Sequence, residues 1–164
     1  MIQSTRKASA LRAFAAAALA ACCTLTAAAE PGASADELLG DANRVLQQLD
    51  AGQYNALWQD AAPFMREKMS AQQFAGSLRQ ARQTVGAVSE RGWAAVTRIR
   101  YTQVTGVPDG LYANVDFATT LADGHTLFEM VSFQLESDGQ WRLTGYAPRQ
   151  SQNAGTGPAQ IATP

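Results

Sequence analysis

The sequence predicts an α+β domain in which two to three N-terminal helices pack on one face of a four-stranded antiparallel meander sheet. Three observations carry this. Apolar residues recur at helical spacing through the first half of the domain, alternate with polar ones from Arg91 onward, and the alternating runs are separated by Asp-Gly pairs that suit tight hairpins.

Taken in order, Ser34-x-x-Glu37 has capping-box spacing, and Leu38, Ala42, Val45, Leu46 and Leu49 then fall on one stripe until Gly52. Tyr54, Leu57 and Trp58 predict a second, short helix stopped near Pro63, with Phe64 and Met65 continuing its apolar surface. Ser70-x-x-Gln73 repeats the cap signal, and Phe74, Leu78, Ala81 and Val85 keep a helical stripe to Gly86. From Arg91 the period changes to two. Trp93, Ala95, Ile99 and Tyr101 share one parity of a long first strand that ends near Gly106, and Pro108-Asp109-Gly110 is the turn. Leu111, Ala113, Val115 and Phe117 alternate with Tyr112, Asn114 and Asp116 in a half-buried second strand. Asp123-Gly124 leads to a third strand with Leu127, Val131, Phe133 and Leu135 on one face, and Asp138-Gly139 to a fourth over residues 140–146.

The chain has 164 residues, 46% of them hydrophobic, which fits one globular domain and excludes a fibrous or wholly disordered protein. Residues 1–29 read as an export leader: Arg6, Lys7 and Arg12 give a positive start, and residues 13–21 form an apolar run far short of the ~20 residues a membrane helix needs. Two exits compete. Ala27-Ala28-Ala29 before Glu30 suits ordinary signal cleavage, whereas Leu19-Ala20-Ala21-Cys22 is similar to the lipobox of bacterial lipoproteins, in which case the leader is 1–21 and Cys22 carries the lipid. Cleavage after Ala29 removes three of the 13 basic residues and none of the 14 acidic ones, leaving a charge of −4. No cysteine follows Cys23, so the expected fold has no internal disulfide. Residues 30–35 are a linker, 36–148 the domain, and 149–164 a polar tail of the composition that stays disordered.

The run over residues 106–149, with PDGLY, a Phe-x-Thr at Phe117, a mid-strand Glu129 and DGQWRLTGY, resembles the domain of unknown function 4019 family, and residues 38–58 extend the resemblance upstream. It implies a small exported bacterial protein and brings no activity with it. The fold is similar to the cystatin-like and nuclear-transport-factor-like groups, in which helices lie in the concave side of a curved antiparallel sheet. No hairpin lies between the helices here, a departure from the latter's order.

The inventory for chemistry is thin. His125 is the only histidine and sits beside Gly124 at a hairpin tip, where a solvated turn residue is the plainer reading. One histidine and no domain cysteine do not make the usual zinc ligand set, no G-x-S-x-G elbow or phosphate-binding glycine loop exists, and no cofactor is expected. Glu129 stands out, because alternation places its carboxylate on an otherwise apolar face, where a lone charge is costly. It must pair with a cation, for which Arg98 and Arg100 on the first strand are candidates, or hold its proton. The functional reading is a pocket carboxylate and the plainer one a structural ion pair. Asp116 and Tyr112 share the opposite face, the one alternation assigns to water, and are weaker candidates for an acid-base site. Trp58, Trp93, Trp141, Tyr54 and Tyr146 suit a ligand cradle or, more plainly, the core.

Two function classes follow. The first is a non-enzymatic envelope domain that binds a small molecule or another envelope protein. The second is a small acid-base enzyme, isomerase- or hydrolase-like, using Glu129 or Asp116 in a pocket between helices and sheet. Negative charge without Lys/Arg clusters argues against nucleic acid, and membrane contact is expected only through a lipid on Cys22.

Overall fold

The computed structural model describes residue 32 and residues 34–152 of the chain; the expected leader with Cys22 and most of the expected tail lie outside them. Helix α1 (Ala35–Asp50) starts as the cap signal requires, with the Ser34 hydroxyl accepting a bond from the Glu37 amide at 3.3 Å. Asp36 and Glu37 stand in its first turn, where the helix dipole favours negative charge. Its stripe of Leu38, Ala42, Val45, Leu46 and Leu49 is buried, as expected. At the start of α4 (Ala71–Gln83) both capping-box bonds form: the Gln73 amide donates to Ser70 Oγ at 3.2 Å and the Ser70 amide to Gln73 Oε1 at 2.8 Å.

Between these two lie α2 (Tyr54–Gln59) and α3 (Pro63–Lys68), so four helices, not two or three, precede the sheet. Pro63 stops one helix and starts the next. Proline is excluded from a helix interior but suits the first turn, where its missing N–H has no intrahelical partner to lose. The break is used. Residues 60–62 run beside the last strand, where the Leu143 amide donates to the Asp60 carbonyl at 3.0 Å and the Ala62 amide to the Leu143 carbonyl at 2.8 Å.

The sheet comprises β1 (Val88–Tyr101), β2 (Gly110–Leu121), β3 (Thr126–Leu135) and β4 (Trp141–Arg149), all antiparallel in the order β1-β2-β3-β4. Asp123 and Asp138 build their hairpin turns by accepting from the amides two residues on, at 3.0 and 2.9 Å. Gly124 and Gly139 follow them at φ 86° and 78°, the left-handed region where a side chain is disfavoured. The β1–β2 connection is longer than the sequence suggests, and β1 ends at Tyr101. There Gln103, at φ 57°, turns the chain and donates its amide to Asp109 Oδ1 at 2.7 Å.

One face of the sheet carries Ala113, Val115, Phe117, Val131, Phe133 and Leu143, which form a single core with the buried residues of the helices. A fully buried side chain of the size of Phe74 or Phe133 contributes roughly 1.5–3 kcal/mol from the area removed from water. A bulge between Trp93 and Ala95 reverses the parity of β1: Trp93 stands opposite Phe117 on the helix side, while Ala95, Ile99 and Tyr101 lie opposite Asp116, Tyr112 and Gly110 on the other. The expectation that Trp93 shares a face with those residues and joins the core is therefore corrected, and its side chain is 61% exposed at the sheet's edge.

A second correction concerns the face away from the core. Tyr112, Asn114, Asp116, Met130, Ser132 and Gln134 are all buried, although alternation assigns that parity to water. β2 and β3 are the two central strands, and their outer side chains engage neighbours: the Ser132 hydroxyl donates to Asn114 Oδ1 at 2.7 Å, directly across the ladder. Alternation in β2 sorts apolar from polar, not buried from exposed.

Candidate functional site: a sealed carboxylate cluster

Glu129 sits on the core side of β3, between Phe117 and Pro148 in register, with no exposed surface. Its partner is Arg91, near the start of β1. Arg91 Nε lies 2.7 Å from Glu129 Oε1 and its Nη2 3.4 Å from Oε2. Thr119, across from Arg91 on β2, donates its hydroxyl to Oε1 at 2.7 Å, and the Tyr146 hydroxyl on β4 donates to Oε2. An ionised carboxylate offers about four acceptor positions, and all are occupied here.

The cluster continues outward. Arg91 also donates to Asp50, the last residue of α1, with Nη2 at 3.0 Å from Oδ1, and that same oxygen accepts from Arg82 Nε at 2.8 Å. Arg82 stands in the last turn of α4, where a cation suits the helix dipole, and it further donates to the Val85 carbonyl at 2.8 Å. Two arginines and two carboxylates thus tie the ends of two helices to β1 and β3. Burial works against the charged form of Asp50, but its bonds to Arg91 and then Arg82 hold the carboxyl below its usual range. Burial likewise opposes the charge on Arg91, and Asp50 and Glu129 more than restore it. Burial first and the Glu129 charge second push the Tyr146 hydroxyl up, so it stays protonated and remains a donor.

Arg98 and Arg100 are not the cations that Glu129 meets. They lie opposite Ala113 and Leu111, four and six β2 residues from Phe117, roughly 13 and 20 Å along the sheet, and both are exposed. Asp116 and Tyr112 are not brought together either, being four residues apart on one strand. Asp116 pairs with Arg149. Burial raises its carboxyl above the ordinary value and the Arg149 charge offsets that only in part. The Tyr112 hydroxyl donates to the Pro108 carbonyl at 2.9 Å, its ring meets Tyr101 at 5.1 Å, and burial foremost pushes it up to about 12. His125 is an exposed turn residue within 3.2 Å of Asp123. The aromatic residues serve separately: Trp58 packs on Phe74 at 5.3 Å, Trp141 and Tyr146 are buried, and Trp93 faces solvent.

Among the described residues no group of three or more His, Cys, Asp or Glu could hold a metal, and no helix is long and apolar enough to cross a membrane. A surface cleft of about 430 Å³ lies between α2–α3 and the β3–β4 hairpin, lined by Arg66, Glu136, Asp138 and Arg142 among others. Its arginines are partly committed, Arg66 to the Gln59 carbonyl at 3.0 Å and Arg142 to Asp138 at 2.8 Å.

Sequence reasoning finds Glu129 and misses Arg91, Asp50, Arg82, Thr119 and Tyr146 as its setting. One signal for it exists. Asp50 closes a helix with no basic residue in its last turn, where the dipole disfavours a carboxylate, so a cation from elsewhere is called for.

A family model described as "Protein of unknown function (DUF4019)" matches residues 41–146, which span every element from within α1 to within β4. No curated protein and no solved structure matches.

Proposed function

The chain belongs to the DUF4019 family, and from that premise we propose that it is an exported, envelope-resident domain that acts by binding a small molecule or another envelope protein, without catalysis. The observation that carries this is the sealing of Glu129. A general acid or base must come within hydrogen-bond reach of a substrate. Glu129, on the core face of the sheet, has zero exposure and its oxygens are taken by Arg91, Thr119 and Tyr146. The helices and the sheet share one continuous core, to which Leu46, Leu49, Phe74 and Phe117 belong. Surface chemistry then carries the function. The positive start, short apolar run and small-residue exit of residues 1–29 support export, with Cys22 as the lipid-bearing residue if the earlier exit is used.

The test uses the full chain expressed in a Gram-negative host with a photo-cross-linking residue placed in turn at Trp93, His125 and Ser137, three exposed positions spread over the surface. The expected result is recovery from the periplasmic fraction, with an intact mass starting at Glu30 or at an acylated Cys22, and an adduct of discrete mass from at least one position. Retention in the cytoplasm at full length overturns the export half, and silence at all three positions overturns the binding half.

A further inference from the structure

The two edges of the sheet are not alike. The β4 edge is obstructed, because the amide and the carbonyl of Leu143 are both hydrogen-bonded to residues 60–62 and Pro148 removes a donor near its end. The β1 edge has no strand beyond it among the described residues, and at 14 residues β1 is the longest strand of the sheet. Alternate residues of an edge strand point their N–H and C=O groups outward, which makes such an edge a template for another chain.

We propose that β1 from Val96 to Tyr101 is a docking strand to which an extended, acidic segment of a partner protein adds as a fifth strand. This rests on the binding reading above and supplies the partner's chemistry. The bulge between Trp93 and Ala95 ends the regular stretch at one side and the turn at Gln103 ends it at the other, which leaves room for a short added strand. On the helix side of that stretch stand Arg98 and Arg100, both exposed, with Trp93, 61% exposed, beyond the bulge on the same side. On the other side stand Thr97, Ile99 and Tyr101, the last two half-buried. Directly opposite side chains in a ladder interact, so an added strand is favoured when every second residue is acidic and the residues between are apolar. The same arginines select against a second copy of this chain: in an antiparallel pairing centred on Ile99, Arg98 would face Arg100 of the other copy, and like charges opposite one another destabilise the pair.

The test titrates ¹⁵N-labelled protein, recovered as the host leaves it, with a short synthetic peptide alternating glutamate and valine and with its lysine–valine counterpart. The proposal expects amide shifts and slowed hydrogen exchange confined to residues 96–101, a change in Trp93 fluorescence, and about tenfold tighter binding of the glutamate peptide at low salt, narrowing as salt is added. Arg100→Glu, at an exposed position, abolishes the preference, since Arg98 and the new carboxylate then offset one another. Equal binding of the two peptides, shifts centred on residues 137–142 at the cleft, or no shift at all each overturn it. The two proposals fail separately. A cross-linked adduct from Ser137 or His125 with a silent β1 leaves the binding reading standing and removes this one.

Discussion

Glu129 and Asp116 are carboxylates on neighbouring strands, each buried and each facing an arginine, yet the protein treats them differently. Glu129 faces the core with three residues donating to it, and its arginine is itself held by a second carboxylate. Asp116 faces the other way, and its pairing with Arg149 offsets burial only in part. A charge taken out of water is tolerated in proportion to the donors that replace the water, so the first site is built around an ion and the second tolerates one.

The largest effect expected from breaking this contrast is that of Arg91→Met, which strips Glu129 and Asp50 of their shared cation. It should cost about 3–5 kcal/mol in urea unfolding at neutral pH, the range found when one partner of a buried pair is removed. Tyr146→Phe deletes one donor and leaves the arginine, and about 1–3 kcal/mol is expected from the same measurement. Arg149→Met should cost less than Arg91→Met, about 1–2 kcal/mol, because it unpairs Asp116 where Arg91→Met strips two carboxylates at once. If the two arginine variants cost the same, the contrast between the sites is gone.

The smallest effect is the one with opposite signs. Asp50 is depressed in the folded state, so it contributes stability above the ordinary aspartate value of 3.8, and this is lost as pH falls below it. Asp116 is raised, so its contribution is present below 3.8 and lost as pH climbs through the higher folded value. Between acid and neutral pH, Asp50→Asn should flatten the rise of stability with pH and Asp116→Asn should steepen it. Chemical denaturation at a series of pH values reads both slopes, and parallel changes in the two variants would contradict the assignment.

The sequence makes Glu129 legible because its position depends on nothing beyond alternation within one strand, and the two capped helices because their signals lie within four residues of each other. Its partner is not legible. Whether Arg91 or Arg98 meets Glu129 depends on the register of β1 against β2, and the bulge at Trp93 shifts that register without any local mark in composition. The same bulge moves Trp93 out of the face where alternation puts Ala95 and Ile99. Pro63 is misread for a different reason: one residue type signals both the end and the beginning of a helix, and tertiary pairing at Leu143 decides that it does both. The burial of Asp116 depends on which strands end up in the middle of the sheet, a property of the assembled fold alone.

The bonds of the Arg91 cluster span long stretches of chain: 32 residues from Asp50 to Arg82, 41 from Asp50 to Arg91 and 38 from Arg91 to Glu129. The loop between each pair must close before its bond forms: Asp50–Arg82 joins two helices, Arg91–Glu129 two strands, and Asp50–Arg91 brings the helical and strand halves of the sequence together. The helices therefore gain this tie only when the first strand is in place, and the third strand gains its counter-charge from that same strand. Neither half is complete as a folding unit, and unfolding should proceed in one transition by helix-sensitive and tyrosine-sensitive signals alike.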